Sequence, residues 1–268
     1  MTSKIPILLY HDLESPDCPN EKSNLATKGT VVYANNFKAQ IRYLVEKGYE
    51  TISIKDYFEL IFQKKAIHPR KIIITFDDGH YSNYCLAFPV LQKHGFKATF
   101  FIIADRVDQD HHLSRGRIKE MADAGMEIGS HGLTHRYLPL LDHKEIEHEV
   151  CESKKVLESI TKQPVDYFAF PGGHYNRYSL NLLAHCGYKG ACSCLQGLND
   201  FKTNIYLLKR IEIRRRLSAD EFGNIFNPVH IAWFRFIDVW KGLIRKLIGL
   251  EKYTNIRSRL YKLYVFKR

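Results

Sequence analysis

Two adjacent carboxylates, Asp77 and Asp78, close the run Ile72-Ile73-Ile74-Thr75-Phe76 and are followed by Gly79. A short apolar, β-branched run ended by glycine reads as a buried parallel strand, which puts both acids at its C-terminal end, where α/β enzymes keep their chemistry. Like charges this close are costly unless a cation or a shared proton holds them. The residues that could complete a cation site stand in Ser130-His131-Gly132-Leu133-Thr134-His135, after a second strand-like piece, Met126–Gly129. Histidines four apart share a face if the chain enters a helical turn there, so one divalent cation can take both imidazoles together with a carboxylate. Three protein ligands leave coordination positions open for water and substrate, which is a catalytic arrangement and not a closed structural one.

Such residues need a rigid frame. Strand-like pieces recur at Ile5–Tyr10, Thr51–Ile54, Lys71–Phe76, Lys97–Ile103, Met126–Gly129, Asp166–Phe170, Lys189–Ser193 and Leu207–Ile213. Helical patterns alternate with them at Asn36–Lys47, Lys55–Phe62, Asn83–His94, Arg115–Ala124, His143–Ile160 and Tyr178–His185. The alternation predicts βα units and parallel strands, in either a barrel or an open sheet. Asp12 to Val31 carries turn chemistry and predicts a loop over the site. Ala104 to Ser114, with Asp105, Asp108, Asp110, His111 and His112, predicts a polar loop that shapes the cleft.

Thr75 to Gly79, the His131 and His135 pair, and Phe168-Ala169-Phe170-Pro171-Gly172-Gly173 resemble the first three motifs of the polysaccharide deacetylase family, the NodB-homology or carbohydrate esterase family 4 domain. The opening Ile5-Pro6-Ile7-Leu8-Leu9-Tyr10-His11 is similar to the poly-N-acetylglucosamine deacetylase branch. The resemblance covers roughly residues 4 to 225. It implies an α/β fold, a distorted (β/α)7-type barrel, with an activity that removes acetyl groups from an N-acetylated sugar or polysaccharide. It implies Asp78, His131 and His135 as ligands of a divalent metal, zinc first and cobalt, manganese or nickel as substitutes. Asp77 is then the general base, and His11 replaces as general acid the late Leu-x-x-His motif, which has no counterpart before the basic tail. Ala169 stands where many relatives carry an arginine that hydrogen-bonds the catalytic Asp, and Arg210 in the late strand is the substitute expected. The N–H of Gly172 is the oxyanion donor, and Tyr175 and Asn176, with His174, are expected near sugar hydroxyls.

The chain has 268 residues, 45% hydrophobic, with a formal charge of +11. That length suits one large core. Ten Lys or Arg against two acids lie in residues 230 to 268, so the charge is concentrated in a C-terminal extension beyond a barrel of residues 1 to 229. From Ile231 to Leu250 charges and aromatics alternate at intervals of three or four, predicting a basic amphipathic helix. Its readings are an interfacial helix on an anionic membrane surface or a helix packed on the barrel; nucleic acid comes last, since no recognition motif accompanies the charge. Met1 to Lys4 run straight into the first strand, and the six cysteines show no metal or redox spacing. These predict reduced thiols and a cytoplasmic protein, at most peripheral at the inner face of the membrane. Two other functions compete: hydrolysis of a non-sugar amide or O-acetyl ester at the same site, and carbohydrate binding without turnover.

Overall fold

The computed structural model describes residues 4–16, 18, 29–215, 217–256 and 259. Most of the loop expected between Asp12 and Val31, and the basic residues Arg257, Lys262, Lys267 and Arg268, lie outside the described residues.

In chain order the elements begin with β1 (Ile5–Tyr10), β2 (Leu13–Glu14), β3 (Val32–Tyr33), α1 (Ala34–Glu46), β4 (Glu50–Thr51), α2 (Ile54–Phe62) and β5 (Lys71–Phe76). They continue with α3 (Phe88–Lys93), β6 (Thr99–Ile102), α4 (Arg115–Asp123), β7 (Glu127–Ser130), α5 (His143–Glu147), α6 (Ser153–Thr161) and β8 (Tyr167–Ala169). The last are α7 (Arg177–His185), β9 (Gly190–Cys192), β10 (Leu198–Asn199), β11 (Ile211–Glu212), α8 (Ala219–Phe222) and α9 (Pro228–Ile248). The strands run β1-β5-β6-β7-β8-β9 in parallel pairings, with β10 antiparallel on β1. The sheet curls, and a thin seam leads it back to its first strand: Cys192 bridges Leu208, and Leu8 pairs with Ile211 of β11. This is a distorted, partly closed α/β barrel.

Both faces of the sheet are dry, so its strands read as unbroken apolar runs. In β5, Ile72, Ile74 and Phe76 join the larger core with Phe37, Leu91 and Phe100, while Ile73 joins a second cluster with Ile7, Phe101 and Tyr167. The alternation carries forward: Thr75 and Asp77 share the parity of Ile73, so Asp77 leaves the strand on the side of the smaller cluster. Gly129 in β7 is required by that packing, because a Cβ there would stand 2.5 Å from the Phe101 ring. Two residues earlier in β7, the Glu127 carboxyl accepts the N–H groups of Ile54 (3.1 Å) and Lys55 (3.0 Å), capping the start of α2.

Three expectations change. Thr51–Ile54 is a strand only through Thr51, because Ser53 caps α2 in a reciprocal pairing with Asp56 and starts the helix at Ile54. The pairing of β2 with β3 has no signal in the sequence; two residues a side are too few for periodicity. The thiols are not all reduced: Cys18–Cys85 and Cys151–Cys186 are disulfides, leaving Cys192 and Cys194 free. Their partners are 67 and 35 residues apart, so only the fold brings them together. Among the described residues no helix is long and apolar enough to cross a membrane.

Candidate active site

The turns that follow β5 and β7 are built from left-handed backbone. Asp78 has φ 74° and Gly79 φ 71°; Gly132 has φ 80° and His135 φ 68°. For Asp and His this conformation is uncommon, and it persists where the surroundings hold it. The surroundings of the second turn are visible: buried Glu149 accepts the N–H groups of Leu133 (3.0 Å) and Thr134 (2.9 Å) and the Thr134 hydroxyl. His131 and His135 therefore converge through a clamped irregular loop and not through the helical turn that their spacing suggested. Their ring centroids are 4.9 Å apart.

Asp78 Oδ1 lies 3.5 Å from His131 Nε2 and 3.4 Å from His135 Nε2, and one donor atom from each of the three residues falls within 4.8 Å of the others. His131 Nδ1 donates to the carbonyl of Ala169 at 2.8 Å, which fixes the ring with Nε2 facing the carboxylate. Burial, with the neighbouring His131, pushes His135 down to about 4, so its imidazole is neutral near pH 7. Burial alone would raise Asp78, but hydrogen bonding and charge from His80, then His131 and His11, hold it well below the usual carboxylate range. An ionised carboxylate between two imidazoles that each turn Nε2 to it is a donor set that fits a divalent cation.

Asp77 is 1% exposed and turned to a different partner. Arg210, fully buried, gives it two parallel hydrogen bonds, Nη1 to Oδ1 at 2.6 Å and Nη2 to Oδ2 at 2.7 Å. Burial would raise Asp77; the guanidinium charge beside it, followed by His131, brings it below the ordinary value. Arg210 is fixed in turn, its Nε donating to the Ser193 carbonyl at 3.0 Å. The residue expected from the late strand thus reaches Asp77 across the seam, while Ala169 contributes its carbonyl to His131.

His11 follows β1, whose Tyr10 carbonyl accepts the Asp77 N–H at 3.0 Å, so the two residues sit on adjacent strand ends. Its carbonyl is tied by Asn83 Nδ2 at 2.8 Å, and its buried Nδ1 has no hydrogen-bond partner among the described residues. Gly172 has φ 60° and is wedged: a Cβ would meet the Tyr137 ring at 2.8 Å and His174 at 3.0 Å. Tyr175 packs its ring on Phe170 at 5.4 Å. Asn176 caps α7, its Oδ1 accepting the Ser179 N–H at 2.8 Å.

His80, missed in the sequence, has Nε2 3.4 Å from Asp78 Oδ2 and stacks on His112 at 5.4 Å. Its signal was position alone, directly after Gly79. His112 brings the expected polar loop to the site's edge, whereas Asp108 of that loop is engaged with Arg115.

A half-closed α/β barrel with an Asp-His-His donor set and an arginine-clamped carboxylate at its strand ends defines a metal-dependent hydrolase scaffold. Residues 64–191 match the polysaccharide deacetylase family model. The chain is 31% identical over 221 residues to YxkH of Bacillus subtilis, named for polysaccharide deacetylation, covering 82% of this chain and 75% of that protein. It is 27% identical to the poly-beta-1,6-N-acetyl-D-glucosamine N-deacetylase of Staphylococcus aureus, over 81% of this chain and 80% of that one. Among solved structures, the Streptococcus pyogenes deacetylase PplD in complex with acetate superposes with a TM-score of 0.75 at 26% identity, covering 85% of this chain and all of that one. The chain belongs to the polysaccharide deacetylase family and is a hydrolase of carbohydrate N-acetyl groups.

Proposed function

We propose that this enzyme removes acetyl groups from an N-acetylated envelope glycan, with a divalent cation, zinc by preference, held by Asp78, His131 and His135. The observation that carries the reading is the convergence of those three donors beside the arginine-clamped Asp77. A cation bound there lowers the pKa of water and polarises the amide carbonyl.

The chain's own residues supply the rest. Asp77 stays outside the donor set and, kept ionised by Arg210, accepts the proton of the attacking water. Its two hydrogen bonds with Arg210 fix the carboxylate plane, so its remaining lone pairs keep one direction. His11 donates a proton to the departing amine nitrogen as the C–N bond breaks and acetate forms. The Gly172 N–H stabilises the oxyanion, which the positive φ and the wedge of Tyr137 and His174 support by fixing the turn. The Tyr175 hydroxyl and the Asn176 amide nitrogen, atoms outside their packing and capping contacts, face sugar hydroxyls.

The two disulfides support action in an oxidising compartment over the cytoplasm. The similarity to poly-N-acetylglucosamine and other polysaccharide deacetylases supports a glycan amide over a non-sugar amide or an O-acetyl ester. Acetate release from N-acetyl and O-acetyl oligosaccharides, with and without added metal, tests the reading. Metal-dependent release from the N-acetyl set is the result expected. Release from O-acetyl substrates alone, or saturable glycan binding without release, would overturn it.

A further inference from the structure

The C-terminal helix α9 has two faces with different tasks. Ile231, Phe234, Asp238 and Arg245 are buried or half-buried, a spacing that turns them to the barrel. Asp238 Oδ2 accepts the Gln196 N–H at 2.8 Å, and Arg245 Nη1 lies 3.2 Å from His174 Nδ1. Gln196 follows β9, and His174 follows β8 in the turn that carries Gly172. The helix is therefore fastened to two loops at the end of the sheet where the metal donors stand.

The opposite face is apolar and, among the described residues, uncovered. Val229, Trp233, Phe236, Trp240, Leu243 and Leu247 recur every three or four residues and are each 46–84% exposed. Trp233 and Phe236 stack at 5.8 Å, and Phe236 meets Trp240 at 6.0 Å, so the stripe is continuous. A contiguous apolar patch of this kind marks an interaction surface. Its border says which: exposed Arg235 and Lys246 stand along one margin of it, while the sole acid of the helix, Asp238, is turned inward to Gln196. Tryptophans on an apolar face with a basic margin match the headgroup boundary of an anionic bilayer. A second copy of the chain would set like-charged margins against each other, and the helix is not apolar enough to span.

We propose that α9 seats the enzyme on an anionic lipid bilayer through this stripe and that its inner contacts turn the catalytic rim to the bilayer, making the substrate a membrane-anchored N-acetylated glycan. The substrate half of this inference rests on the deacetylase reading; the docking half does not.

Cosedimentation and tryptophan fluorescence of the full chain with vesicles of phosphatidylcholine, with or without phosphatidylglycerol, read the docking. Binding to the anionic vesicles alone, weakened at least tenfold by Phe236→Ser/Trp240→Ser and reduced by salt, is expected. The replaced side chains are more than half exposed, so the variant retains its fold. An N-acetylglucosaminyl glycolipid carried in those vesicles should lose at least tenfold in acetate release with the variant, while soluble N-acetylglucosamine oligomers lose nothing. No binding to anionic vesicles at low salt, or a solution dimer that Trp240→Ser dissociates, would overturn the docking. Equal loss on both substrates would overturn the membrane-anchored substrate. Vesicle binding with no acetate released from either substrate would uphold the docking and overturn the deacetylase reading.

Discussion

Arg210 and Asp77 meet as two planar groups in a dry seam, joined by parallel hydrogen bonds of 2.6 and 2.7 Å from residues 133 positions apart. A buried pair of this kind is costly to assemble, and removing one partner strands the other charge at about 3–5 kcal/mol. Arg210→Ala should therefore lower stability by about that amount and turnover with it. Arg210→Lys should recover part of the stability but less of kcat, because an ammonium cannot hold the carboxylate plane. Urea unfolding and steady-state kinetics on both variants check this. Unchanged kcat in Arg210→Ala would show that the pair is structural only.

His131 and His11 should separate metal binding from proton transfer. His131→Ala removes a donor whose Nε2 is set by the Ala169 carbonyl, so both bound metal and turnover should disappear. His11→Ala should keep the metal and lose turnover by about a hundredfold to ten-thousandfold, the range for a general acid. Metal analysis of the purified variants beside acetate release decides it, and near-normal turnover in His11→Ala would reject that residue as the acid.

Much of this site was legible because its residues sit at strand ends, where an apolar run stops and polar residues begin. Ile72 to Gly79 showed its strand, its end and its acids in eight residues, and the observed β5 has the bounds expected. Arg210 was legible only through the family resemblance, which implies an arginine partner for Asp77 at the position where Ala169 stands. His80, Glu149 and the contacts of α9 were not legible: each acts through a neighbour distant in sequence or through a loop without period. The helical period of α9 was visible but its faces were not: Phe234, grouped by spacing with Trp233 and Trp240, turns instead to the barrel beside Asp238 and Arg245, which find Gln196 and His174.

The disulfides give a direct count. Alkylation of the unfolded, unreduced protein should label two thiols, Cys192 and Cys194, and all six only after reduction. Reduction should also lower stability, by about 2–5 kcal/mol for each bridge opened. Six reactive thiols without reductant would restore the reduced-compartment reading.

Glu127 supplies a pH signature away from the metal donors. Burial pushes it up to about 7, against the opposing hydrogen bonds from Thr99, Lys55 and Ile54. A carboxyl raised on folding binds more protons in the folded state between its ordinary value and about 7, so its contribution to stability is lost as pH rises through that window. Glu127→Gln removes the titration. The Tm of the variant relative to the parent should shift in the variant's favour from pH 5 to pH 8, and a constant or opposite difference would show that Glu127 is ionised throughout.

The sharpest measurement compares Asp77→Asn with the parent for bound metal and for metal-dependent acetate release from N-acetylglucosamine oligomers. The division of labour between the two acids predicts metal retained at the parent's stoichiometry and turnover reduced by about a hundredfold to ten-thousandfold. Loss of the metal together with turnover would place Asp77 among the ligands, and retained turnover would remove it from the chemistry altogether.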